Sequence, residues 1–240
     1  MHTHIVPAVD DGARTHTEAI EMLNRMSASL EADSTVVFTP HYSCRMNRRI
    51  AMARRNKSMK FQDRVDEEFS GKLNFLIAGE LMISGGSLKY MEEIRYPGTG
   101  WVLVEFRTSV SWLETLIQLR RLISRGYMPL IAHPERYGWC RRKRSRLVTL
   151  SRMGCGAMIS ARSFRIKKYA LAARSLLRDG LSHAICSDAH SPRDHIIDRK
   201  LKEKITDFSR VPWEVLTKES PEMILSDERL PELPLPKERN

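Results

Sequence analysis

Imidazoles and carboxylates recur along this chain at places where they could hold metal ions. The first is His2-Thr3-His4, ahead of Asp10-Asp11-Gly12. In an extended strand, residues i and i+2 point to the same face, so His2 and His4 can reach one ion together. Further on come Thr39-Pro40-His41, Gly79-Glu80, Leu103-Val104-Glu105, Ala132-His133 and Ser187-Asp188-Ala189-His190, each closing an apolar run. With Asp11 on the first loop, the candidate metal ligands are His2, His4, Asp11, His41, Glu80, Glu105, His133, Asp188 and His190, which include five of the eight histidines. So many nitrogen and oxygen donors, with no cysteine, exceed the needs of one tetrahedral zinc. They suit two or three divalent ions such as Mn²⁺, Zn²⁺ or Fe²⁺. Ions roughly 3.5–4 Å apart activate water and stabilise both oxygens of an in-line phosphoryl displacement. Arg136 and Arg193, each three residues past a candidate ligand, could fork onto phosphate oxygens and steady transition-state charge.

The elements that must position these groups are legible from hydrophobic patterning. Apolar runs near residues 1–5, 34–41, 73–80, 101–106, 127–133, 156–160 and 183–190 read as buried strands. Between most of them lie helical patterns: 15–31, a long basic stretch over 47–69, an amphipathic 111–125 stopped by Gly126, then 147–153 and 169–178. Alternation without hairpin signals predicts a parallel sheet with crossover helices. Seven such units closing on themselves would make a (βα)7, TIM-like barrel, whose reactive groups gather at the strands' C-terminal ends. Six of the seven strand ends carry a histidine or an acid; the 156–160 end carries no obvious ligand. His16, His183 and His195 receive no assignment. A single domain is expected over 1–225, followed by a proline-rich, mobile tail over 226–240.

Composition narrows the function classes. The chain has 240 residues, 42% hydrophobic and 29% charged, as expected of a globular domain with a full core. No apolar run approaches a membrane span and no signal-peptide core is present, so the expected setting is cytoplasmic, without membrane insertion. The net charge of +11 collects in two runs, over 45–60 and 141–146. Such runs are either solvated surface or a field for an anionic partner. Few aromatic residues accompany them, which argues against nucleic acid. Cys44, Cys140, Cys155 and Cys186 lack metal-finger spacing. Cys140 and Arg146 match the Cys-x5-Arg spacing of cysteine phosphatases, but the residues between them are mostly long cations rather than a phosphate-cradling loop.

Taken in order, His2-Thr-His4, Asp10-Asp11-Gly12, Thr39-Pro-His41, Gly79-Glu80, Leu-Val-Glu105-Phe, Ile-Ala-His133-Pro-Glu-Arg136 and Cys-Ser-Asp188-Ala-His190 resemble the polymerase-and-histidinol-phosphatase (PHP) superfamily. The closest likeness is to its bacterial metal-dependent protein-tyrosine phosphatases of capsule and exopolysaccharide regulation. The resemblance runs from His2 to about Arg193. It implies a distorted seven-stranded barrel, a trinuclear site usually described with manganese, and phosphotyrosine as substrate. The implied partner is the tail of a membrane-associated tyrosine autokinase. Carried over by motif, the ligands are the nine residues above, with Arg136 and Arg193 beside the phosphoryl group. One departure is that only Met1 precedes His2, whereas relatives have a few apolar residues there; a stunted first strand and a loosely held His2, or a misassigned start, would follow. The basic stretch 44–60 at the expected mouth is another, and implies a different substrate preference.

The expected reaction is hydrolysis by a metal-activated hydroxide, with no covalent phospho-enzyme, since no nucleophilic side chain is placed to form one. The competing readings are another phosphoesterase of the same superfamily, acting on histidinol phosphate, small phosphoesters or nucleic acid, and a non-catalytic basic scaffold.

Overall fold

The computed structural model describes residues 1–43, 45–84, 88, 90–194 and 197–236. His195, Cys44 and the last four residues of the tail lie outside them. Strands and helices alternate: α1 (His16–Ser27), β1 (Ser34–Phe38), β2 (His41–Ser43), α2 (Arg48–Glu68), β3 (Leu73–Ile77), β4 (Glu80–Met82), α3 (Met91–Ile94) and β5 (Trp101–Glu105). They continue through α4 (Trp112–Ile123), β6 (Met128–Ala132), α5 (Gly138–Arg142), α6 (Ser145–Arg152), β7 (Gly156–Ser160), α7 (Lys167–Arg178), β8 (Ala184–Cys186), α8 (Arg199–Thr206) and α9 (Ser220–Leu225). Every strand pair is parallel, in a two-stranded sheet β1-β3 and a six-stranded sheet in the order β2-β4-β5-β6-β7-β8. Parallel neighbours require crossovers, which the helices supply.

Two of the expected strands are broken, and each break has a local cause. Pro40 has no N–H to give a ladder, so the 34–41 run divides into β1 and β2 around Thr39-Pro40. Beside it, the 73–80 run divides at Ala78-Gly79, where the Gly79 N–H turns away to the carbonyl of Ile94 (2.8 Å). The ring of Tyr42 lies against Gly79 so closely that a Cβ there would come within 2.6 Å of it. Pairing resumes beyond the break, with His41 opposite Glu80.

The N-terminal run is not a regular strand; Thr3 makes a single parallel bridge to Phe38. Its backbone is nonetheless held on both sides. Thr39 N–H donates to the Thr3 carbonyl (2.9 Å), while His4 N–H donates to Ala189 and Asp188 N–H to His2 (2.9 and 3.2 Å). A loosely held His2 is therefore not what the structure contains. Its side chain is fully buried and its Nδ1 lies 2.5 Å from the Thr39 hydroxyl.

Side chains alternate along each strand. Val37, Trp101, Leu103, Leu130, Ala132, Met158, Ala184 and Cys186 pack together on one face. Val102, Val104, Ile131, Ala157, Ile159 and Ile185 pack on the other against the helices, through residues such as Leu119, Leu147 and Leu177. With both faces apolar, the strands read as continuous hydrophobic runs rather than alternating ones. Helix starts follow the sequence signals: Thr15, Asn47, Ser111 and Asp198 each accept a first-turn N–H at the N-cap.

The proline-rich stretch read as a mobile tail is fastened across the strand starts. Gly100 N–H donates to Asp227 (2.6 Å), Trp101 Nε1–H to the Glu228 carbonyl (3.0 Å), and Leu233 N–H to the Ser151 hydroxyl (2.8 Å). His183 joins this belt. Its Nδ1 accepts from Ala157 N–H (3.0 Å), which leaves Nε2–H to donate to the Pro231 carbonyl (2.9 Å). Burial lowers its pKa from the ordinary 6.5, so the neutral ring is the folded form. Its contribution to stability is complete above about pH 6.5 and is lost as pH falls through the lower folded value. His183→Ala should cost about 1–3 kcal/mol at neutral pH. Thermal denaturation should show the gap from wild type narrowing as the pH drops below 6.5; a gap independent of pH would show that this ring does not titrate with unfolding.

Candidate metal centre

The alternation that builds the apolar interior also builds the site. Two residues beyond Leu103, Met158 and Cys186, the same parity reaches Glu105, Ser160 and Asp188. Beyond Val37 it reaches Thr39 and His41, and beyond Ala78 it reaches Glu80. His133 has the wrong parity for this face, and its backbone enters the left-handed region (φ 36°) as β6 gives way to the 3-10 turn Pro134–Arg136. Asp188 is also left-handed (φ 50°), a conformation that costs most residues energy and concentrates at functional positions.

All nine residues with ligand chemistry converge. His4, Asp11, His41 and His190 form one group, His2, His4 and Glu80 a second, and His41, Glu80 and Glu105 a third; within each, one donor atom per residue lies within 4.8 Å of the others. His133 Nε2 joins at 3.1 Å from Glu80 and 3.7 Å from Glu105. Asp188 joins at 3.5 Å from His2. Glu80 sits at the centre, fully buried. Asp11 is at the mouth, its side chain 71% exposed.

The cluster is crowded with polar atoms that do not satisfy one another. His2 Nε2, His4 Nε2, His41 Nδ1 and Glu80 Oε2 are buried without an aligned hydrogen-bond partner. They nevertheless lie close: 3.3 Å separates His2 Nε2 from Glu80 Oε1, and 3.0 Å separates His41 Nδ1 from Glu80 Oε2. Burial opposes charge on all of these groups. Burial lowers the pKa of His2, and burial together with the nearby His4 takes His190 down to about 4. Against the same burial, Asp10 and Glu80 raise His4 to about 9, and Glu105 and Glu80 raise His41 to about 11. Glu80 stays far below its ordinary range despite burial because His2, His133 and His4 surround it. The two raised imidazoles, His4 and His41, set positive charge beside these carboxylates.

An outer set of groups orients these donors, as metal-binding histidines require. Asp10 Oδ2 lies 2.8 Å from His4 Nδ1 and accepts from His41 N–H (2.9 Å), while its Oδ1 accepts from Gly12 N–H (3.0 Å). Tyr137 Oη lies 3.3 Å from His133 Nδ1, donates to the Ala132 carbonyl (3.0 Å) and accepts from Phe106 N–H (3.1 Å). The basic helix α2 takes part as well: Arg54 donates to the His41 carbonyl and Lys57 to that of Ala8 (3.0 Å). These cations of the 45–60 run therefore hold the loops that carry the donors.

Arg136 borders the cluster and donates to Asp188 Oδ2 and to the Ser160 hydroxyl (3.1 Å). Burial opposes its charge, but Asp188 and Glu135 keep it firmly cationic. Ser160, Thr39 and Arg162 escaped the sequence reading. Ser160 and Thr39 had the signal of strand-end parity, whereas Arg162 had none, since it lies in the short 3-10 helix Ala161–Arg165 that follows β7. Arg162 Nη1 lies 3.2 Å from His190 Nδ1. Among the described residues no such contact reaches the side chain of Arg193, which is exposed and accepts through its carbonyl from Arg165 (3.2 Å). Cys140 is buried and its thiol is pushed far up by burial, the opposite of a phosphatase nucleophile.

A sequence model of the family described as capsular polysaccharide synthesis, CpsB/CapC, matches residues 1–204. Tyrosine-protein phosphatase CpsB of Streptococcus agalactiae is 26% identical over 208 residues, 80% of this chain and 82% of its own length. Tyrosine-protein phosphatase YwqE of Bacillus subtilis is 29% identical over 202 residues, 80% of this chain and 76% of its own. A solved structure from work on YwqE of Bacillus subtilis and CpsB of Streptococcus pneumoniae, described as metal-dependent tyrosine phosphatases, superimposes with a TM-score of 0.79 at 25% identity, covering 98% of both chains.

Gly12 supplies a sharp test of how the site is assembled. A Cβ there would fall 2.0 Å from the His4 carbonyl oxygen and 2.6 Å from the His4 Cβ. Gly12→Ala should displace His4, costing about 1–3 kcal/mol of stability and at least about tenfold in divalent-metal affinity. Thermal denaturation and calorimetric Mn²⁺ titration measure both. Wild-type affinity in the variant would mean that the 10–13 loop does not set the position of His4.

Proposed function

Because the chain belongs to the CpsB/CapC family of capsular polysaccharide synthesis, we propose that it is a metal-dependent protein-tyrosine phosphatase. One observation carries this reading: four unpartnered donor atoms, His2 Nε2, His4 Nε2, His41 Nδ1 and Glu80 Oε2, crowd one another in a buried place. Each unsatisfied buried group costs about 1–3 kcal/mol, which a bound cation removes. The all-nitrogen and oxygen donor set fits Mn²⁺ best, with Zn²⁺ or Fe²⁺ as alternatives. His2, His4, Asp11, His41, Glu80, Glu105, His133, Asp188 and His190 would hold two to three ions. When bound, these supply Lewis acidity and a water of lowered pKa.

The chain's own residues account for the rest. Arg136 is fixed through Asp188 and Ser160, and its Nη1 has no partner among the described residues, so it can donate to an equatorial phosphoryl oxygen. Arg193, exposed past His190, is the second candidate for that role, and Arg162 lies nearer. Asp11 at the exposed mouth and His41 beside it line the approach. A tyrosyl oxygen leaves as a phenolate of conjugate pKa about 10, so no strong acid is needed to protonate it.

The same reading extends to fold and setting. Residues 2–4 pair with both 188–189 and 38–39, which supports one distorted seven-stranded ring in a single domain over 1–225. Among the described residues, no helix is long and apolar enough to cross a membrane. This is consistent with a cytoplasmic enzyme acting on the phosphotyrosine tail of a membrane-associated tyrosine autokinase in capsule or exopolysaccharide synthesis.

The test is hydrolysis of a phosphotyrosine peptide by untreated, chelated and Mn²⁺-restored protein, beside His190→Ala. Chelation and the substitution should each lower turnover by at least about a hundredfold, with Mn²⁺ restoring only the chelated wild type. Faster turnover of histidinol phosphate or a short oligonucleotide would instead assign the site to another phosphoester.

A further inference from the structure

The two basic runs behave differently. On α2, Arg54, Arg55 and Lys57 are committed to the carbonyls of His41, Glu93 and Ala8. In the 141–146 run, Arg142 and Arg146 likewise donate to carbonyls, those of Gly138 and Trp139 (3.2 and 3.3 Å), but Arg141 and Arg144 line a cavity of ≈ 200 Å³ between α5 and α7, walled also by Lys168, Leu171, Ser175 and Leu176. That volume holds several waters, at about 30 Å³ each. Its cations are not equally available. Arg144 pairs with Asp179 at 2.5 Å. Arg141 and Lys168 have no carboxylate partner among the described residues. Arg141 lies 5.6 Å and Lys168 5.3 Å from the centroid of the Tyr169 ring, a contact that leaves both charges uncancelled. Below them, Leu171 is 74% exposed, a large apolar side chain left beside the charged opening.

The cavity is also joined to the candidate active site. Arg141 Nη1 donates to the carbonyl of Arg136 (2.6 Å), the residue whose guanidinium grips Asp188 and Ser160. Beside the cavity, Asp179 is paired with the lining residue Arg144. An anion arriving here meets Arg141 and Lys168, neither ion-paired among the described residues, next to the arginine assigned to the phosphoryl group.

We propose that this cavity is an accessory substrate pocket that takes an anionic side chain, a carboxylate or a second phosphate, flanking the phosphotyrosine on the same polypeptide. The inference rests on the phosphatase reading above. Arg141 and Lys168 bind the anionic oxygens, and Leu171 and Leu176 cover the aliphatic or aromatic stem of the bound side chain. The preferred substrate is thus an acidic phosphotyrosine segment.

The experiment compares kcat/KM of the Mn²⁺-loaded full chain on three phosphotyrosine peptides, flanked by glutamine, glutamate or phosphoserine. The acidic peptides should be favoured by about tenfold, mainly through KM, with the preference weakening as salt rises. Lys168→Glu should abolish the ratio and Lys168→Ala should reduce it, while Lys200→Glu, on the exposed surface of α8, should leave it unchanged. Equal kcat/KM on all three peptides, or a ratio that Lys200→Glu lowers as much as Lys168→Glu, overturns the pocket but leaves the phosphatase reading intact. No turnover of any peptide overturns the phosphatase reading itself. Loss of binding to phosphatidylglycerol vesicles in Lys168→Glu, with an unaltered peptide ratio, would assign the cavity to a membrane surface and also overturn the proposal.

Discussion

A carboxylate with no access to water constrains the whole molecule. Glu80 is fully buried and has His2, His4, His41 and His133 within 3.3 Å of its two oxygens. An isolated charge in such a place would cost far more than a domain's entire stability, so the surroundings must answer it. They do so in two layers. The imidazoles crowd inward, and Asp10, Thr39 and Tyr137 hold their far edges. Much of the chain's topology serves this arrangement, because the donors arrive from the N-terminal segment and from strands spread across the six-stranded sheet.

How much of this was legible beforehand depended on which rule governs each residue. The period of two in an extended chain is strict, so strand-end histidines and acids could be assigned to one rim from spacing alone. Glu80, Glu105 and His41 follow that rule. His133 arrives by a left-handed turn that no periodicity announces, and was found through its apolar run rather than its parity. The interruptions at Thr39-Pro40 and Ala78-Gly79 were signalled by a proline and a glycine, yet the continuous hydrophobicity of both runs concealed them. Supporting groups were the hardest to see. A serine or a threonine at a strand end has many ordinary uses, and Arg162 stands in a turn whose path only tertiary packing decides.

The N-terminal segment shows why local propensity underestimates short elements. With one bridge, residues 1–5 scarcely qualify as a strand, but hydrogen bonds to Asp188 and Ala189 on one side and Thr39 on the other fix their backbone as firmly as a longer ladder would. Charge was equally ambiguous on paper. Both basic runs give cations to backbone carbonyls in the folded chain, Arg54 and Lys57 in one and Arg142 and Arg146 in the other, while Arg141 and Arg144 also face a cavity. Composition counts cations, whereas only three-dimensional neighbours determine which are free.

The belt formed by residues 227–233 has a mechanical corollary. It is stitched to Gly100 and Trp101 at the start of β5, to His183 just before β8, and to Ser151 in α6. A pull on the carboxyl-terminal side of this belt would be shared among several elements rather than peeling one strand at a time. The anchors on β5 and β8 stand at the strand starts, opposite the ends from which Glu105 and Asp188 enter the donor cluster.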